Sequence, residues 1–171
     1  MPASEKPDAI ALLKADHRKV EGLFAQFEAA RGDGKKKALA EQICLELTVH
    51  AKIEEDVFCP ACEGAVDDAL LKQAYVEHNG AKVLIAEIEA GGPDDGFYDA
   101  KVKVFAEQIA HYVEEEEQRV EGMFSQAGKA GVDMGVLGEK MAAEKAELTK
   151  AYKAGGLPRP QTTTLDGATL A

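Results

Sequence analysis

Apolar residues recur along this chain at spacings of three and four positions, the period of helices that bury one face. Five segments carry this pattern and are rich in Ala, Leu, Glu and Lys, which favour helix. We predict helices over residues 7–30, 35–62, 67–90, 96–127 and 133–152. Turn-forming residues separate them, as in RGDG (31–34) and AGGPDDG (90–96). The pattern predicts an all-α fold: an up-down-up-down four-helix bundle with a short fifth helix at its C-terminal end.

The chain is long enough for one domain and no more. Its 171 residues, 46% of them hydrophobic, suit a single core. We predict that residues 1–152 form this domain. Residues 153–171 contain turn formers and threonines but no apolar period, so we predict a flexible, disordered tail there.

Histidines interrupt the apolar stripes of the four bundle helices. One lies at a core position of each helix: His17, His50, His78 and His111. Each lies roughly 20–25 Å along its helix from the connecting loops, so short loops would bring all four into one layer. Glu54 and Glu115 each follow a histidine by four residues, which places them on the same helix face. The sequence thus predicts six polar side chains in one core layer.

A metal centre is the chemistry that best explains such a layer, because an unpaired buried carboxylate is very costly. Six ligands exceed the needs of a tetrahedral zinc ion and suit two ions that share carboxylates. Carboxylate oxygen mixed with imidazole favours iron, with manganese less favoured. Two alternatives stay open at this point: satisfied core histidines without metal, and a site with a single ion.

The ordered motifs resemble the hemerythrin family of the HHE cation-binding type. They are LLKADHRKVEGLF with His17, HAKIEEDVF with His50 and Glu54, EHNGAKVL with His78, and HYVEEEE with His111 and Glu115. The resemblance spans about residues 8–152. It implies a non-haem di-iron centre, bridged by carboxylates and an oxo or hydroxo group, inside the bundle. Ferritin-like bundles are the nearest rival, but their Glu-x-x-His order is absent from these helices.

Two departures from the oxygen-carrying hemerythrins bear on function. The carriers have a second histidine on the third helix, whereas Ala74 and Lys82 flank His78 here. They also use an aspartate five residues after the fourth-helix histidine, where this chain has Glu116; helical geometry favours Glu115 as the ligand instead. An open coordination position then favours a protein that binds, senses or turns over O2, peroxide or nitric oxide, in a role such as oxidative-stress defence. The alternatives are an iron- or redox-dependent regulatory protein without turnover and a reversible O2 carrier.

Several other residues are secondary candidates. Glu21 follows His17 by four residues and is a candidate additional ligand, or else a surface partner of Arg18. Tyr75 and Tyr112 are accessory donors or packing residues. Cys59 and Cys62 form either an exposed, oxidisable pair or an inert helix end, since no second cysteine pair exists for a zinc ribbon. No catalytic residue can be assigned, and whether the protein is an enzyme stays open.

Charge and composition limit the partners. Thirty-one acidic and 20 basic residues give a net charge of −11, which repels nucleic acid and anionic membranes. There is no run of about 18 apolar residues, and the start MPASEKPDAI lacks the apolar core of a secretory signal. We therefore expect a cytoplasmic protein whose partner is a diatomic molecule or peroxide. The oligomeric state stays open.

Overall fold

The fold is entirely helical in the part of the chain that the computed structural model describes, residues 8–159. Seven α-helices occur there: α1 Ala9–Ala29, α2 Asp33–Ile53, α3 Cys59–Cys62, α4 Asp68–Ala90, α5 Tyr98–Glu117, α6 Met123–Lys129 and α7 Met134–Gly155. A π-helical turn, Glu54–Phe58, joins α2 to α3 without a break. None of these helices combines the length and the apolar content needed to cross a bilayer.

The four long helices α1, α2, α4 and α5 form the predicted bundle. The helix α1 packs on α2 and α5, and α4 packs on the same two neighbours, so the four close into a square. Aspartates cap two of these four helices: Asp8 accepts a hydrogen bond from Ala11 N at 2.7 Å, and Asp67 accepts one from Ala69 N at 2.8 Å. The predicted fold class is confirmed.

The fifth predicted helix is not short. Helix α7 has 22 residues and packs along α1, α2 and the π-helical turn. It ends at Gly155, because Gly156 adopts a φ of 82° that stops the helix. The helix therefore enters the segment that was predicted as tail. The prediction of disorder for the rest of that tail falls largely on residues 160–171, which lie outside the described residues.

The predicted helix over residues 96–127 is wrong in its last third. Helix α5 ends at Glu117, and α6 begins at Met123 after a tight return. At Gly122 an added Cβ would lie 2.4 Å from the carbonyl oxygen of Gln118, so the return needs glycine. The turn folds Met123 and Phe124 back into the core. Residues 114–119 are EEEEQR, good helix formers without a turn residue, and they concealed this break.

Two apolar clusters fill the bundle, one on each side of a polar layer. The lower cluster includes Val20, Leu47, Ala81 and Val113; the upper one includes Leu13, Ile53, Ala74 and Phe124. Within residues 8–159, six polar residues are buried: Asp16, His17, His50, Glu54, His78 and Glu116. His17, for example, lies in α1 between Leu13 of the upper cluster and Val20 of the lower one. The bundle thus places a polar layer between two apolar cores.

Candidate metal centre

The π-helical turn aims two consecutive carboxylates at one histidine. The N–H of Cys59 bonds to the carbonyl of Glu54, five residues back. Pro60 lacks the N–H that a regular helix would donate to the Asp56 carbonyl, which gives a local reason for the wider turn. Glu54 Oε2 lies 2.9 Å from His78 Nε2, and Glu55 Oε1 lies 3.2 Å from His78 Nδ1. Adjacent side chains of a regular helix would diverge by about 100°.

The inner part of the layer is a compact group of nitrogen and oxygen donors. Glu54 is fully buried, with Oε1 2.9 Å from His50 Nε2 and Oε2 2.9 Å from His78 Nε2. His17 Nε2 lies 3.1 Å from Glu116 Oε2. The donor atoms of His17, His50, Glu54 and Glu116 all lie within 4.8 Å of one another. We call these four residues together with His78 the donor group.

The donor group fits a metal ion. Glu54 Oε1, Glu116 Oε2 and His17 Nδ1 are buried without a hydrogen-bond partner, although the two oxygens lie close to histidine nitrogens. Two ligand atoms each about 2.1 Å from an ion, at right angles to one another, are about 3 Å apart, which matches the separations here. The two oxygens of Glu54 face different histidines, an arrangement suited to a carboxylate shared by two ions.

Opposite charges stabilise one another in the metal-free group. Burial opposes protonation of His50, but Glu54 and Asp16 raise the pKa of His50 to about 10. Burial likewise opposes protonation of His78, but Glu54 and Glu55 raise its pKa to about 9. Burial would raise the pKa of Glu54, yet the two histidines hold it well below its usual range. Protons on the imidazoles therefore take the place that a cation would fill.

His111 and Glu115 lie outside the donor group, so the predicted convergence of four histidines is wrong for α5. The His111 side chain is 62% exposed, and its Nε2 lies 3.3 Å from Glu115 Oε1. The buried stripe of α5 instead runs through Phe105, Ile109, Val113 and Glu116. Glu116 is thus the buried carboxylate of this helix, and the preference for Glu115 over Glu116 was incorrect.

The secondary candidates Glu21, Tyr112 and Tyr75 lie at different places relative to the donor group. Glu21 is exposed and lies 3.4 Å from Arg18, so it is a surface partner and stands outside the donor group. Tyr112 lines a cavity beside the donor group. Tyr75 is half-buried and packs against the upper cluster. Burial raises the pKa of Tyr75 to about 12.

Cys59 and Cys62 are not exposed. Both are fully buried in the upper cluster, and neither forms a disulfide. Burial raises the pKa of Cys62 to about 12 and that of Cys59 further still, so both stay as thiols at neutral pH. Of the two interpretations of this pair, the structure contradicts the exposed, oxidisable pair and agrees with the inert helix end.

A cavity of about 40 Å³ adjoins the donor group. Its polar lining consists of His17, His50, His78, Glu116, Glu77 and Tyr112. Apolar side chains such as Leu47, Ile109 and Val113 complete the wall. A water molecule needs about 10–15 Å³ of such space, so this cavity admits a ligand of only a few atoms.

Comparison with known proteins agrees with the geometry. The sequence model of the hemerythrin HHE cation-binding domain matches residues 8–124. The solved structure of a hemerythrin HHE cation-binding domain-containing protein from Mycobacterium kansasii covers 88% of this chain and 94% of its own. Its TM-score is 0.72 and its identity is 22%, which shows a shared fold. A DNA nickase from Nostoc sp. strain PCC 7120 is 27% identical over 106 residues. That match covers 62% of this chain and 30% of the nickase, so the chain spans under a third of that relative.

Proposed function

This chain belongs to the hemerythrin HHE cation-binding domain family, and from that premise we propose that it is a non-haem di-iron protein. In this proposal it binds, senses or turns over O2, peroxide or nitric oxide. The observation that carries it is the fully buried Glu54, whose two oxygens each lie 2.9 Å from a different histidine. A carboxylate in that position without a cation would rely on protonated imidazoles alone. Imidazole and carboxylate together favour iron, with manganese second.

The donor group would hold the ions. We assign His17, His50, His78, Glu54 and Glu116 as ligands, with Glu54 shared between two ions. Bound iron would supply reversible binding of small ligands and one-electron redox chemistry. The protein's own part is to fix the donors and to limit water through the apolar cavity wall. Tyr112 and Glu77 offer polar groups to a small ligand in the cavity.

The position one turn beyond His78 argues against a reversible O2 carrier. Lys82 occupies it, and its Nζ donates to Glu55 at 2.8 Å. A cation engaged in this way cannot act as the additional nitrogen ligand that carriers possess. We therefore expect an incomplete ligand set that leaves room for an incoming molecule. Ligand turnover or sensing follows more directly from this arrangement than storage does.

We do not extend nickase activity to this chain. The match covers 30% of the nickase, and a net charge of −11 disfavours a nucleic-acid partner. We propose a cytoplasmic protein, in line with the three free cysteines.

Metal analysis with optical spectroscopy tests the proposal. Protein from iron-replete cells should contain about two irons per chain and change its near-ultraviolet spectrum on adding peroxide, azide or nitric oxide. Consumption of peroxide at a rate proportional to iron content would indicate turnover. Ligand binding without consumption would indicate the regulatory alternative. Absence of iron or manganese from the purified protein, with no uptake on reconstitution, would refute the proposal.

A further inference from the structure

The three histidines of the donor group share one pattern of contacts. Each directs Nε2 towards an inner glutamate and has an outer carboxylate near Nδ1. His50 Nδ1 is hydrogen-bonded to Asp16 and His78 Nδ1 to Glu55, each at 3.2 Å, whereas His17 Nδ1 lies 3.4 Å from Glu117 without a hydrogen bond. A carboxylate at Nδ1 fixes the orientation of the ring and leaves Nε2 to bind metal.

Each outer carboxylate has a cationic partner, and one of the three partners is different. Arg18 contacts Glu117 and lies beside His17 in α1, and Lys82 contacts Glu55 and lies one turn after His78 in α4. Those cations belong to the same helices as the histidines they serve. Lys145, which contacts Asp16, comes from α7, and 129 residues separate the two in sequence. A helix outside the bundle thus contacts the carboxylate that lies beside His50.

Asp16 depends on this contact because it is almost fully buried. Its exposed fraction is 5%, and His50 and Lys145 are the partners that offset the cost of burial. Loss of Lys145 would leave the carboxylate with His50 alone and weaken its hold on the ring. The Lys145 side chain is 29% exposed, compared with 6% for the Asp16 side chain. Its charge therefore loses less hydration than the carboxylate does when the two groups pair.

We propose that Lys145 is a positioning residue for the metal centre: it holds Asp16, and Asp16 fixes the His50 ring with Nε2 directed at the donor group. The inference rests on the proposed function, because it assigns a role at the same site. It also gives α7 a part in the chemistry beyond covering the bundle. Any displacement of α7 would then reach the centre through His50.

Cobalt(II), added under anaerobic conditions to metal-free protein, is the probe, because its visible absorption reports ligand geometry. The test variant is Lys145→Met, which keeps an apolar stem without the charge. Lys140→Met, at an exposed position of α7, is the matched control. Lys145→Arg should rescue the contact. Leu148→Ala loosens the packing of α7 on the upper cluster while Lys145 stays in place.

We expect Lys145→Met to weaken cobalt binding about tenfold and to change the visible spectrum, as loss of a residue that orients a ligand does. Lys140→Met and Lys145→Arg should behave like the unmodified protein, and Leu148→Ala should keep the original spectrum. An unchanged affinity and spectrum in Lys145→Met would overturn the inference. It would also fail if Leu148→Ala produced the same spectral change, since packing alone would then suffice.

Nuclear magnetic resonance of the metal-free protein separates this inference from the proposed function. The Nδ1–H of His50 should exchange slowly in the unmodified protein, because Asp16 accepts its hydrogen bond. In Lys145→Met this proton should exchange at least several-fold faster. Failure of the unmodified protein to bind cobalt or iron would refute the proposed function. An unchanged His50 proton in Lys145→Met would refute the positioning role, whatever the metal result.

Discussion

Two segments of the chain carry the same His-x-x-x-Glu spacing and end in opposite environments. In HAKIE (50–54) the glutamate is fully buried, whereas in HYVEE (111–115) the histidine side chain is 62% exposed. In both segments the imidazole and the carboxylate are close, at 2.9 Å and 3.3 Å. The spacing therefore determines whether two side chains meet. It does not determine which side of the helix they share.

Neighbouring apolar residues determine whether the histidine and the glutamate lie on the core side or the solvent side of the helix. In α2 the residues Ile43, Leu47 and Ile53 are buried on the face that also carries His50. In α5 the buried residues Ile109 and Val113 each lie two positions from His111. Two positions correspond to about 200° around a helix, so His111 lies opposite the stripe. The two segments share the histidine and the glutamate but differ in their register against the core.

The largest expected effect comes from removing the buried carboxylate. Glu54→Gln keeps the shape of the side chain but removes the charge, so it should lose most of the bound metal. We expect at least about a hundredfold weaker binding, since even residues that only orient ligands are worth tenfold to a hundredfold. Glu115→Gln is the matched control and should keep its metal. Elemental analysis after gel filtration measures both. Equal losses would show that the two segments are equivalent in function.

How far the sequence determines this molecule follows from the same two segments. Helical period and turn residues were sufficient for the all-α bundle, and for the burial of His17, His50, His78 and Glu54. The predicted buried face of α5 is wrong because the apolar residues of this helix fit two faces that are one residue apart in sequence. Val104, seven residues before His111 and therefore on the same helix face, is 45% exposed, whereas Phe105 is fully buried. Only packing against α1 and α4 distinguishes them.

Other features depend on contacts distant in sequence. Lys145 lies 129 residues from Asp16, and no local pattern marks that pair. The return at Gly122 follows EEEEQR (114–119), a stretch of good helix formers that predicts continuous helix. The π-helical turn had a local signal in Pro60, which lies only six residues after Glu54. A proline near the end of a metal-binding helix is therefore a reason to expect a change in which side chains face the core.

A second, smaller effect tests whether the buried segment, HAKIE (50–54), contributes ligands to two ions. His78 faces the Glu54 oxygen that His50 does not face. His78→Gln should therefore remove about one of two ions and leave the other, which gives about half the metal content. His111→Gln, on the exposed segment, should retain the full content. Complete loss in His78→Gln would indicate a single ion or a fully interdependent pair.

A third prediction concerns the metal-free protein, in which His50 and His78 are charged at neutral pH. The pKa of His50 is raised to about 10 and that of His78 to about 9, from an ordinary 6.5. A raised histidine pKa gives stability that is complete below pH 6.5 and lost as the pH rises towards 9 or 10. The lowered pKa of Glu54 gives stability that is lost below about pH 4.5. The metal-free protein should therefore be most stable between about pH 4.5 and 6.5.

Chemical denaturation at pH 5.5, 7.5 and 9 measures this profile. His50 and His78 each lose about 1.4 kcal/mol per pH unit over roughly two units of this range, so we expect a loss on the order of 5 kcal/mol between pH 6.5 and 9. His78→Gln should flatten the profile, and the exposed His111→Gln should leave it unchanged. Metal ions compete with protons for the same nitrogens, so the stability gained on metal binding should increase over the same range. A metal-free protein that gains stability from pH 6.5 to 9 would contradict the charge arrangement.

The smallest expected effect lies where the buried segment continues beyond Glu54 into Cys59 and Cys62. Both thiols are fully buried, so the double change Cys59→Ala, Cys62→Ala should cost about 1 kcal/mol of stability for each sulfur removed. Sulfur is a soft ligand and a poor match for a centre of imidazole and carboxylate, so metal content should change little and affinity by no more than a few-fold. Cys44→Ala is the matched control, because Cys44 is equally buried but lies in the lower cluster. If the double variant lost its metal while Cys44→Ala kept it, the thiols would belong to the centre. The functional part of the buried segment would then extend at least eight residues past Glu54, as far as Cys62.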